Sequence, residues 1–337
     1  MSYEERDVMY WSERAVLVTG AGGFIGSHLT ERLVELGAKV TAFVRYNSRN
    51  DWGMLELLPQ DELDEIRVVM GDLRDSDAVR HVSRNISTII HLGSLIAIPY
   101  SYVHPREVIE TNVMGILNIL VATLENDVEK IVHTSTSEVY GTAQYVPMDE
   151  RHPLQGQSPY SASKIGADMI AGSFCRSFGA PVAIIRPFNT FGPRQSARAV
   201  IPTIISQALT KDRILLGSLT PTRDYTYIDD VVEAFISAAE SPSSIGEVTN
   251  IGSNFEISMG DIAEKVISMI GKQREVVLDP KRLRPEESEV ERLWCDNRKA
   301  KKLLGWEPKV GFDEGLKKTI KWITDHADLY KPELYVV

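Results

Sequence analysis

Ala15-Val-Leu-Val-Thr-Gly-Ala-Gly-Gly-Phe-Ile-Gly-Ser-His-Leu29 is the stretch of this sequence that decides the fold. Its first five residues are apolar or β-branched, which is typical of a short buried strand in a parallel sheet. Gly20, Gly23 and Gly26 follow, and residues 27–36 then have the pattern of an amphipathic helix that ends at Gly37. This order indicates a pyrophosphate site, because glycine lets the backbone approach the ligand and a helix N-terminus favours anions.

Strands and helices alternate as far as about residue 190, which predicts an α/β fold with a doubly wound parallel Rossmann sheet. The predicted strands are Ala15–Thr19, Val40–Val44, Arg67–Met70, Thr88–Leu92, Lys130–Ser135 and Val182–Arg186. After Pro187 the pattern becomes irregular and rich in proline, as expected of a smaller mixed α/β domain. We therefore predict a Rossmann cofactor domain over residues 1–187. A mainly substrate-binding domain is predicted over residues 188–337, with some segments that return to the Rossmann core.

The end of the second predicted strand bears on which dinucleotide this fold binds. An NAD site usually has an acidic residue there, roughly 20 residues after the glycines, to hold the ribose 2′-hydroxyl. This chain has Val44-Arg45-Tyr46-Asn47 instead. Arg45 is a candidate partner for a 2′-phosphate, which favours NADP over NAD. The alternative is that Arg45 is solvated and the adenosine is held in another way.

Two segments carry candidate acid/base groups. Tyr160 and Lys164 stand four residues apart, so on a helix they share one face, and a neighbouring ammonium is expected to lower the pKa of the phenol. The segment Ser135-Thr-Ser-Glu138 follows the fifth predicted strand, at the sheet edge where the glycines also lie. Its hydroxyls and its carboxylate add hydrogen-bond donors and a second acid/base group. This set favours a site that moves protons at more than one carbon.

The composition argues against several classes of function. A net charge of −10 over 337 residues is unfavourable for a protein that binds nucleic acid. Cys175 and Cys295 are too few for a disulfide framework, and no Cys–His spacing typical of a metal site occurs, so His91 and His133 are interpreted as packing residues. The first residues lack an apolar signal segment, and no run of 18 apolar residues occurs. We therefore expect a cytoplasmic protein that binds neither a membrane nor a metal.

Later motifs complete a resemblance to a known family. They are Gly71-Asp-Leu-Arg-Asp75, Arg186-Pro-Phe-Asn-Thr-Phe-Gly-Pro-Arg194, Arg223-Asp-Tyr-Thr-Tyr-Ile-Asp-Asp230 and Asn297–Trp306. With the segments above, they make the chain similar to extended short-chain dehydrogenases/reductases of the nucleotide-sugar epimerase/dehydratase type. Thr136-Ser-Glu138 resembles the triplet of GDP-mannose 4,6-dehydratases and UDP-glucuronate decarboxylases. The runs Tyr46–Gly53, Ala97-Ile-Pro-Tyr-Ser101 and Tyr140–Ser161 look closest to bacterial and archaeal N-acetylglucosamine nucleotide 4,6-dehydratases, including the legionaminic-acid pathway type.

The resemblance implies a set of binding residues. A tightly bound NADP or NAD, regenerated in each cycle, is expected to contact Gly20, Gly23, Phe24, Ile25, Gly26, Arg45, Asp72, Leu73, Tyr160 and Lys164. A UDP- or GDP-linked sugar is expected to contact Asn189, Arg194, Arg223 and Arg284. The family commonly forms homodimers through a four-helix bundle. The matching helices in this chain are Val108–Glu125 and Tyr160–Phe178.

The resemblance also implies a reaction, with catalytic residues Thr136, Ser137, Glu138, Tyr160 and Lys164. A nucleotide-sugar 4,6-dehydratase acting on UDP-GlcNAc or a GDP-sugar, for the synthesis of surface-glycan precursors, uses Tyr160 at the 4-hydroxyl and Glu138 at C5 and the 6-hydroxyl. Thr136 or Ser135 would hydrogen-bond O4. If Glu138 is only structural, a 4-epimerase is the alternative. A UDP-glucuronate decarboxylase is another, and it would need a cation such as Arg194 or Arg198 for the substrate carboxylate.

Overall fold

The structure is a computed structural model that describes residues 9–331, and it contains the following β-strands. In chain order they are β1 (Ala15–Thr19), β2 (Lys39–Arg45), β3 (Arg67–Gly71), β4 (Thr88–His91), β5 (Lys130–Thr134), β6 (Val182–Pro187), β7 (Asn189–Phe191), β8 (Arg213–Leu216), β9 (Thr222–Tyr227), β10 (Val248–Ile251), β11 (Glu256–Ser258), β12 (Glu275–Leu278) and β13 (Arg292–Leu293). Seven of them form one parallel sheet in the order β10-β6-β5-β4-β1-β2-β3. The predicted doubly wound sheet is confirmed. The first and last residues of each of the six predicted strands lie within one residue of the observed ones.

Helices cover both faces of this sheet. In chain order they are α1 (Phe24–Glu35), α2 (Gln60–Asp64), α3 (Ser76–Val82), α4 (Ile98–Val103), α5 (Pro105–Glu125, with a π-helical turn at Glu110–Met114), α6 (Pro159–Phe178), α7 (Val200–Thr210), α8 (Ile228–Glu240), α9 (Met259–Ile270), α10 (Arg298–Leu304) and α11 (Phe312–Asp325). The two helices that the sequence predicts at 108–125 and 160–178 correspond to α5 and α6.

The strand residues alternate between two hydrophobic cores, one on each face of the sheet. Val18 and Ile90 point into a core that also contains Leu29 of α1. Leu17 and Ile89, their neighbours in the chain, point into the opposite core, which α3, α5 and α6 cover. Because both faces are buried, the strands need continuous apolar runs, which is why they were visible in the sequence.

Strand β10 comes from the second half of the chain, yet it is an outer strand of the main sheet and pairs with β6. The other strands of this half form two small sheets. One has the order β11-β9-β13, with β7 on β9, and the other pairs β12 with β8. Part of the chain beyond residue 188 therefore completes the Rossmann core, because β10 joins the main sheet and α8 packs against β5, β6 and α1.

Helix α5 is long and apolar enough to cross a membrane by length and composition. Val108, Ile116 and Ile119 on one of its faces are fully buried within the protein, as in the core helix of a globular domain. Its other face is apolar and exposed. That face carries Ile109, Met114, Val121 and Leu124.

Candidate active site

A cavity of about 930 Å³ lies at the carboxyl edge of the main sheet. The glycine turn after β1 and the segment Thr134–Glu138 after β5 both line it, which confirms that the two face one crevice. Asn189, Arg223 and Arg284 line the same cavity from the second half of the chain. Doubly wound sheets hold their ligands at this edge, so we identify this cavity as the candidate active site.

The glycine turn places the N-terminus of α1 at the cavity. A hydrogen bond from Gly23 N to Gly20 O closes the turn at 3.0 Å, so α1 begins at Phe24, three residues earlier than the sequence predicts. Gly23 occupies the N-cap position and provides no side-chain cap. Phe24, Ile25 and Gly26 of the first helical turn line the cavity. An uncapped helix N-terminus of this kind suits a pyrophosphate.

Side chains are excluded from the glycine turn by the closeness of the surrounding backbone. A Cβ on Gly26 would lie 2.2 Å from Gly20 O, and one on Gly22 would lie 2.5 Å from Trp52 O. Glycine is therefore required at both positions. The cradle that results has the shape and the donor groups expected for the dinucleotide implied by the sequence.

Arg45 lies at the end of β2 and lines the cavity. Its Nη2 donates to Oε1 of Glu107 at 3.1 Å, and 63% of its side chain is exposed. An exposed ion pair of this kind contributes about 1 kcal/mol at most. Glu107 is therefore a partner that a phosphate would replace at little cost, and the structure leaves the predicted role of Arg45 open.

Asp72 and Leu73 take up different contacts from those that the resemblance implies. Asp72 is held by its neighbour Arg74, whose Nη2 donates to Oδ2 at 2.6 Å. The Leu73 side chain packs against Gly93 and Gly115. Within residues 9–331 neither Asp72 nor Leu73 is among the residues that line the cavity. Their contact with a cofactor remains a prediction.

Tyr160 and Lys164 lie on one face of α6 and both line the cavity, as predicted from their spacing. The helix starts in a capping box in which the Ser158 side chain accepts from the backbone N–H of Ser161. Both functional side chains are buried. Lys164 Nζ donates to the backbone oxygen of Thr134 at 2.6 Å, which connects α6 to the end of β5.

The pKa of Tyr160 differs from the expectation drawn from the sequence. Burial raises the pKa of this phenol above its ordinary value, the Thr136 side chain lowers it, and the Glu138 and Asp168 carboxylates raise it. Burial also lowers the pKa of Lys164 to about 8, against the opposing effect of Asp168. Burial therefore opposes the lowering of the Tyr160 pKa that the sequence predicts from the neighbouring ammonium, and the contribution of Lys164 stays a prediction.

The triplet Thr136-Ser137-Glu138 forms the start of a 3₁₀ turn, Ser137–Tyr140, directly after β5. Thr136 caps this turn, since its Oγ1 accepts from Glu138 N at 3.2 Å. Ser137 is buried, whereas the Glu138 side chain is 13% exposed and opens to the cavity. Ser135 Oγ donates to Asp168 at 2.7 Å, so Thr136 is the better placed of the two residues considered for O4.

Arg223 and Arg284 share a counter-ion in the cavity. Glu289 Oε1 lies 3.5 Å from Arg223 Nη2 and 3.6 Å from Arg284 Nη1, and the latter nitrogen is also 3.9 Å from Glu138 Oε2. Sequence reasoning missed Glu289, because nothing in the local pattern separates it from the other acidic residues of its loop. Within the described residues, Arg284 Nη1 is buried and makes no hydrogen bond.

Arg194 is not among the residues of the described chain that line the cavity, and its contact with substrate stays a prediction. Its Nη1 and Nη2 donate to the two carboxylate oxygens of Glu31 on α1, at 2.7 and 3.1 Å. The pair is largely buried, which fixes the guanidinium against α1. Arg198, the other cation considered for a substrate carboxylate, does line the cavity.

Residues 17–319 match the model of one protein family, described as GDP-mannose 4,6 dehydratase. The chain belongs to this family. Among curated relatives, a putative UDP-glucose 4-epimerase of Methanocaldococcus jannaschii is 32% identical over 92% of this chain and 99% of its own. A human dTDP-D-glucose 4,6-dehydratase is 31% identical over 94% of this chain and 92% of its own. Names of both dehydratases and epimerases therefore occur among members of the family.

Solved structures of the family have the same fold. The epimerase Mth375 of Methanothermobacter thermautotrophicus covers 97% of each chain with a TM-score of 0.89 and 28% identity. DesIV, a dTDP-glucose 4,6-dehydratase of Streptomyces venezuelae solved with NAD bound, covers 94% of this chain and 99% of its own with a TM-score of 0.83 and 28% identity. The protein is thus an enzyme of the NAD-dependent nucleotide-sugar dehydratase and epimerase family, within the extended short-chain dehydrogenases/reductases.

Proposed function

We propose that the protein is a nucleotide-sugar 4,6-dehydratase that acts on UDP-GlcNAc or a GDP-sugar in the cytoplasm and supplies a precursor of surface glycans. The observation that carries this proposal is the Glu138 carboxylate, which follows Thr136 on one turn and shares a cavity with Tyr160. Loss of water across C5 and C6 needs a base and an acid. A 4-epimerase has no task for a carboxylate at this place.

Oxidation at C4 comes first in the proposed reaction. When bound, the nicotinamide supplies an acceptor for the hydride of C4, a positive charge that favours a phenolate, and the same hydride for return to C6. Tyr160 removes the proton of the 4-hydroxyl, and Thr136 donates a hydrogen bond to O4. Lys164, one helical turn after Tyr160, supplies the positive charge on the protein that stabilises the phenolate.

Glu138 carries out the elimination in this scheme. The ketone at C4 acidifies the proton at C5, and Glu138 removes it. The carboxylic acid so formed then protonates the departing 6-hydroxyl, which Ser137 helps to orient. One carboxylate thus serves as base and as acid in turn, and it is back in its starting state once water has left. When C6 receives its hydride, C5 takes up a proton from solvent, and release of the 4-hydroxyl proton from Tyr160 balances that uptake.

Asn189, Arg223 and Arg284 are proposed to hold the diphosphate of the substrate. The guanidinium group matches phosphate oxygens with paired donors, and both arginines lie in the cavity with Glu289 between them. An entering diphosphate would take over part of the pairing that Glu289 now provides. Arg284 Nη1, which makes no hydrogen bond within the described residues, would then gain an acceptor.

Product analysis tests the proposed function. The purified protein is incubated separately with UDP-GlcNAc, GDP-mannose, dTDP-glucose and UDP-glucuronate, and the products are followed by mass spectrometry. Loss of one water without net consumption of cofactor supports the dehydratase and identifies its nucleotide. An unchanged mass with a new stereoisomer means a 4-epimerase, and loss of carbon dioxide means a decarboxylase; either result overturns the proposal.

The cofactor preference is tested at Arg45. We propose that its guanidinium pairs with a 2′-phosphate, so Arg45→Ala should weaken the binding of NADP by about tenfold and that of NAD much less. The measurement is the dissociation constant of each dinucleotide by titration calorimetry. Arg49→Ala, which removes a cation from the same side of the cavity, is the matched comparison. Equal effects of Arg45→Ala on the two dinucleotides would show that Arg45 does not choose between them.

A homodimer through α5 and α6 is proposed from their exposed apolar face. Val121 and Leu124 of α5 and Met169 of α6 are each more than a third exposed. The double variant Val121→Glu, Met169→Glu should convert a dimer to a monomer, because it places charge in an apolar interface. Light scattering after gel filtration gives the mass. Leu329→Glu, an exposed leucine elsewhere, should remain dimeric; a monomeric wild type would contradict the proposal.

A further inference from the structure

A buried ion pair lies behind the candidate active site and has no part in the chemistry proposed so far. Asp168 stands one turn after Lys164 on α6 and is 2% exposed, and Arg186 on β6 is 3% exposed. Arg186 donates through Nε and Nη2 to Asp168 Oδ2, at 3.1 and 2.9 Å. Burial of two charges costs desolvation energy that their attraction seldom returns in full. Stability alone therefore does not account for the pair.

The ion pair contacts both ends of residues 135–140, the catalytic segment. At its start, Ser135 Oγ donates to Asp168 Oδ2 at 2.7 Å. At its end, Arg186 Nη1 donates to the Tyr140 hydroxyl at 3.0 Å, and that hydroxyl donates to Asn250 Oδ1 at 2.7 Å. The triplet with Thr136 and Glu138 lies between these two points of attachment.

Helix α6, which carries Tyr160, also contacts the start of the catalytic segment. Lys164 Nζ donates to the backbone oxygen of Thr134, the last residue of β5, and Asp168 accepts from Ser135, the next residue. Two side chains four residues apart on α6 therefore hold two successive residues at the end of β5. Tyr160 stands one turn earlier on the same helix. The position of the catalytic segment relative to Tyr160 is therefore set by these contacts.

We propose that Asp168 and Arg186 are positioning residues that hold the catalytic segment in register with Tyr160, and that they act through Ser135 and Tyr140. The inference rests on the proposed roles of Tyr160 and Thr136. A dehydratase and a 4-epimerase both need those roles, so the inference holds for either reaction.

Asp168 also contributes charge to the site. The groups that act electrostatically on Lys164 or share its buried surroundings are Tyr160 and Asp168 on α6, His91 on β4, His133 on β5, Arg186 on β6 and Glu138 after β5. Burial lowers the pKa of both histidines, so they are neutral near pH 7. Asp168 raises the pKa of both Lys164 and Tyr160. Removal of its charge should therefore lower both pKa values.

The test uses two mild variants of the full-length enzyme with its cofactor. Ser135→Ala and Tyr140→Phe each remove one attachment and leave the ion pair in place. We expect kcat to fall by about 10- to 100-fold, since a small misplacement of reacting groups has effects of this size, while KM changes by less than about threefold. The position of the pH–rate profile should not change, because no charge is removed.

Matched controls separate positioning from simple loss of a buried hydrogen bond. Ser83→Ala removes a buried hydroxyl that donates to Val79 O, and Tyr330→Phe removes one that donates to Gln195 O. Neither Ser83 nor Tyr330 lines the cavity, and both variants should keep wild-type kcat. If Ser135→Ala and Tyr140→Phe also keep wild-type kcat, or lose activity only in proportion to the unfolded fraction, the proposal is overturned.

Asp168→Asn adds a second measurement, the pH dependence of the rate, which would not change if Asp168 were only structural. Its pH–rate profile should shift to lower pH on both limbs, because the loss of one negative charge lowers the pKa of Tyr160 and of Lys164 alike. An unchanged pH–rate profile would overturn the inference that the Asp168 charge acts on Tyr160 and Lys164. If this variant does not fold, the two mild variants still decide the positioning part. The wild-type product, measured in parallel, shows separately whether the proposed dehydration occurs.

Discussion

Tyr160→Phe lowers kcat by about 10²- to 10⁴-fold, the range that a positioned acid/base group contributes. The phenol is the one group in the cavity that we assign to the 4-hydroxyl proton, and phenylalanine keeps its shape and its packing against Ile98 and Val108. The measurement is product formation under saturating substrate. Cofactor retained through purification should equal that of the wild type, because the glycine turn is untouched.

Tyr330→Phe is the control for this variant, since it removes the hydroxyl of another buried tyrosine that does not itself line the cavity. Thermal unfolding of both variants shows that any loss of rate is not a loss of fold. If Tyr160→Phe keeps more than about a tenth of wild-type kcat, Tyr160 is not the base at C4.

Glu138→Gln separates the two halves of the reaction. Glutamine has the size of glutamate but neither removes nor delivers a proton, so water loss should fall by about 10²- to 10⁴-fold. Oxidation at C4 should continue, and it is followed through the absorbance of reduced nicotinamide in a single turnover. In deuterated water the wild type should also place deuterium at C5 of the product, whereas the variant should not.

Glu289→Gln is the informative comparison, because Glu289 is a second carboxylate in the same cavity. It pairs with Arg223 and Arg284, so its loss should change KM more than the rate of water loss. If Glu138→Gln loses water at the wild-type rate and Glu289→Gln does not, Glu289 rather than Glu138 is the base at C5.

The sheet and the main catalytic groups could be predicted because their signals are local. A strand buried on both faces needs an apolar run, and β1 and β6 show such runs in the sequence alone. The four-residue spacing of Tyr160 and Lys164 is likewise complete within one helical turn. For the glycine turn, the structure differs from the prediction only in the residue at which α1 begins, because the hydrogen bond from Gly23 N to Gly20 O shortens the turn.

The ion pairs could not be predicted, because their partners are far apart in the chain. Arg194 appeared as a substrate residue, yet its partner Glu31 lies 163 positions earlier. The counter-ion of Arg223 is Glu289, and not the adjacent Asp224, which instead accepts from Ser253. The effect of burial on the Tyr160 pKa could not be predicted for a related reason, because burial is a property of the folded molecule that no spacing in the sequence reports.

Strand β10 also has a consequence for the order in which the molecule is made. A nascent chain that has emerged as far as residue 240 already contains Tyr160, Lys164 and the triplet, but the edge of β6 has no neighbour until Val248–Ile251 arrives. The same strand contains Asn250, whose side-chain oxygen accepts a hydrogen bond from the Tyr140 hydroxyl. Translation must therefore deliver a segment from the last third of the protein before the main sheet can be completed and the catalytic segment anchored.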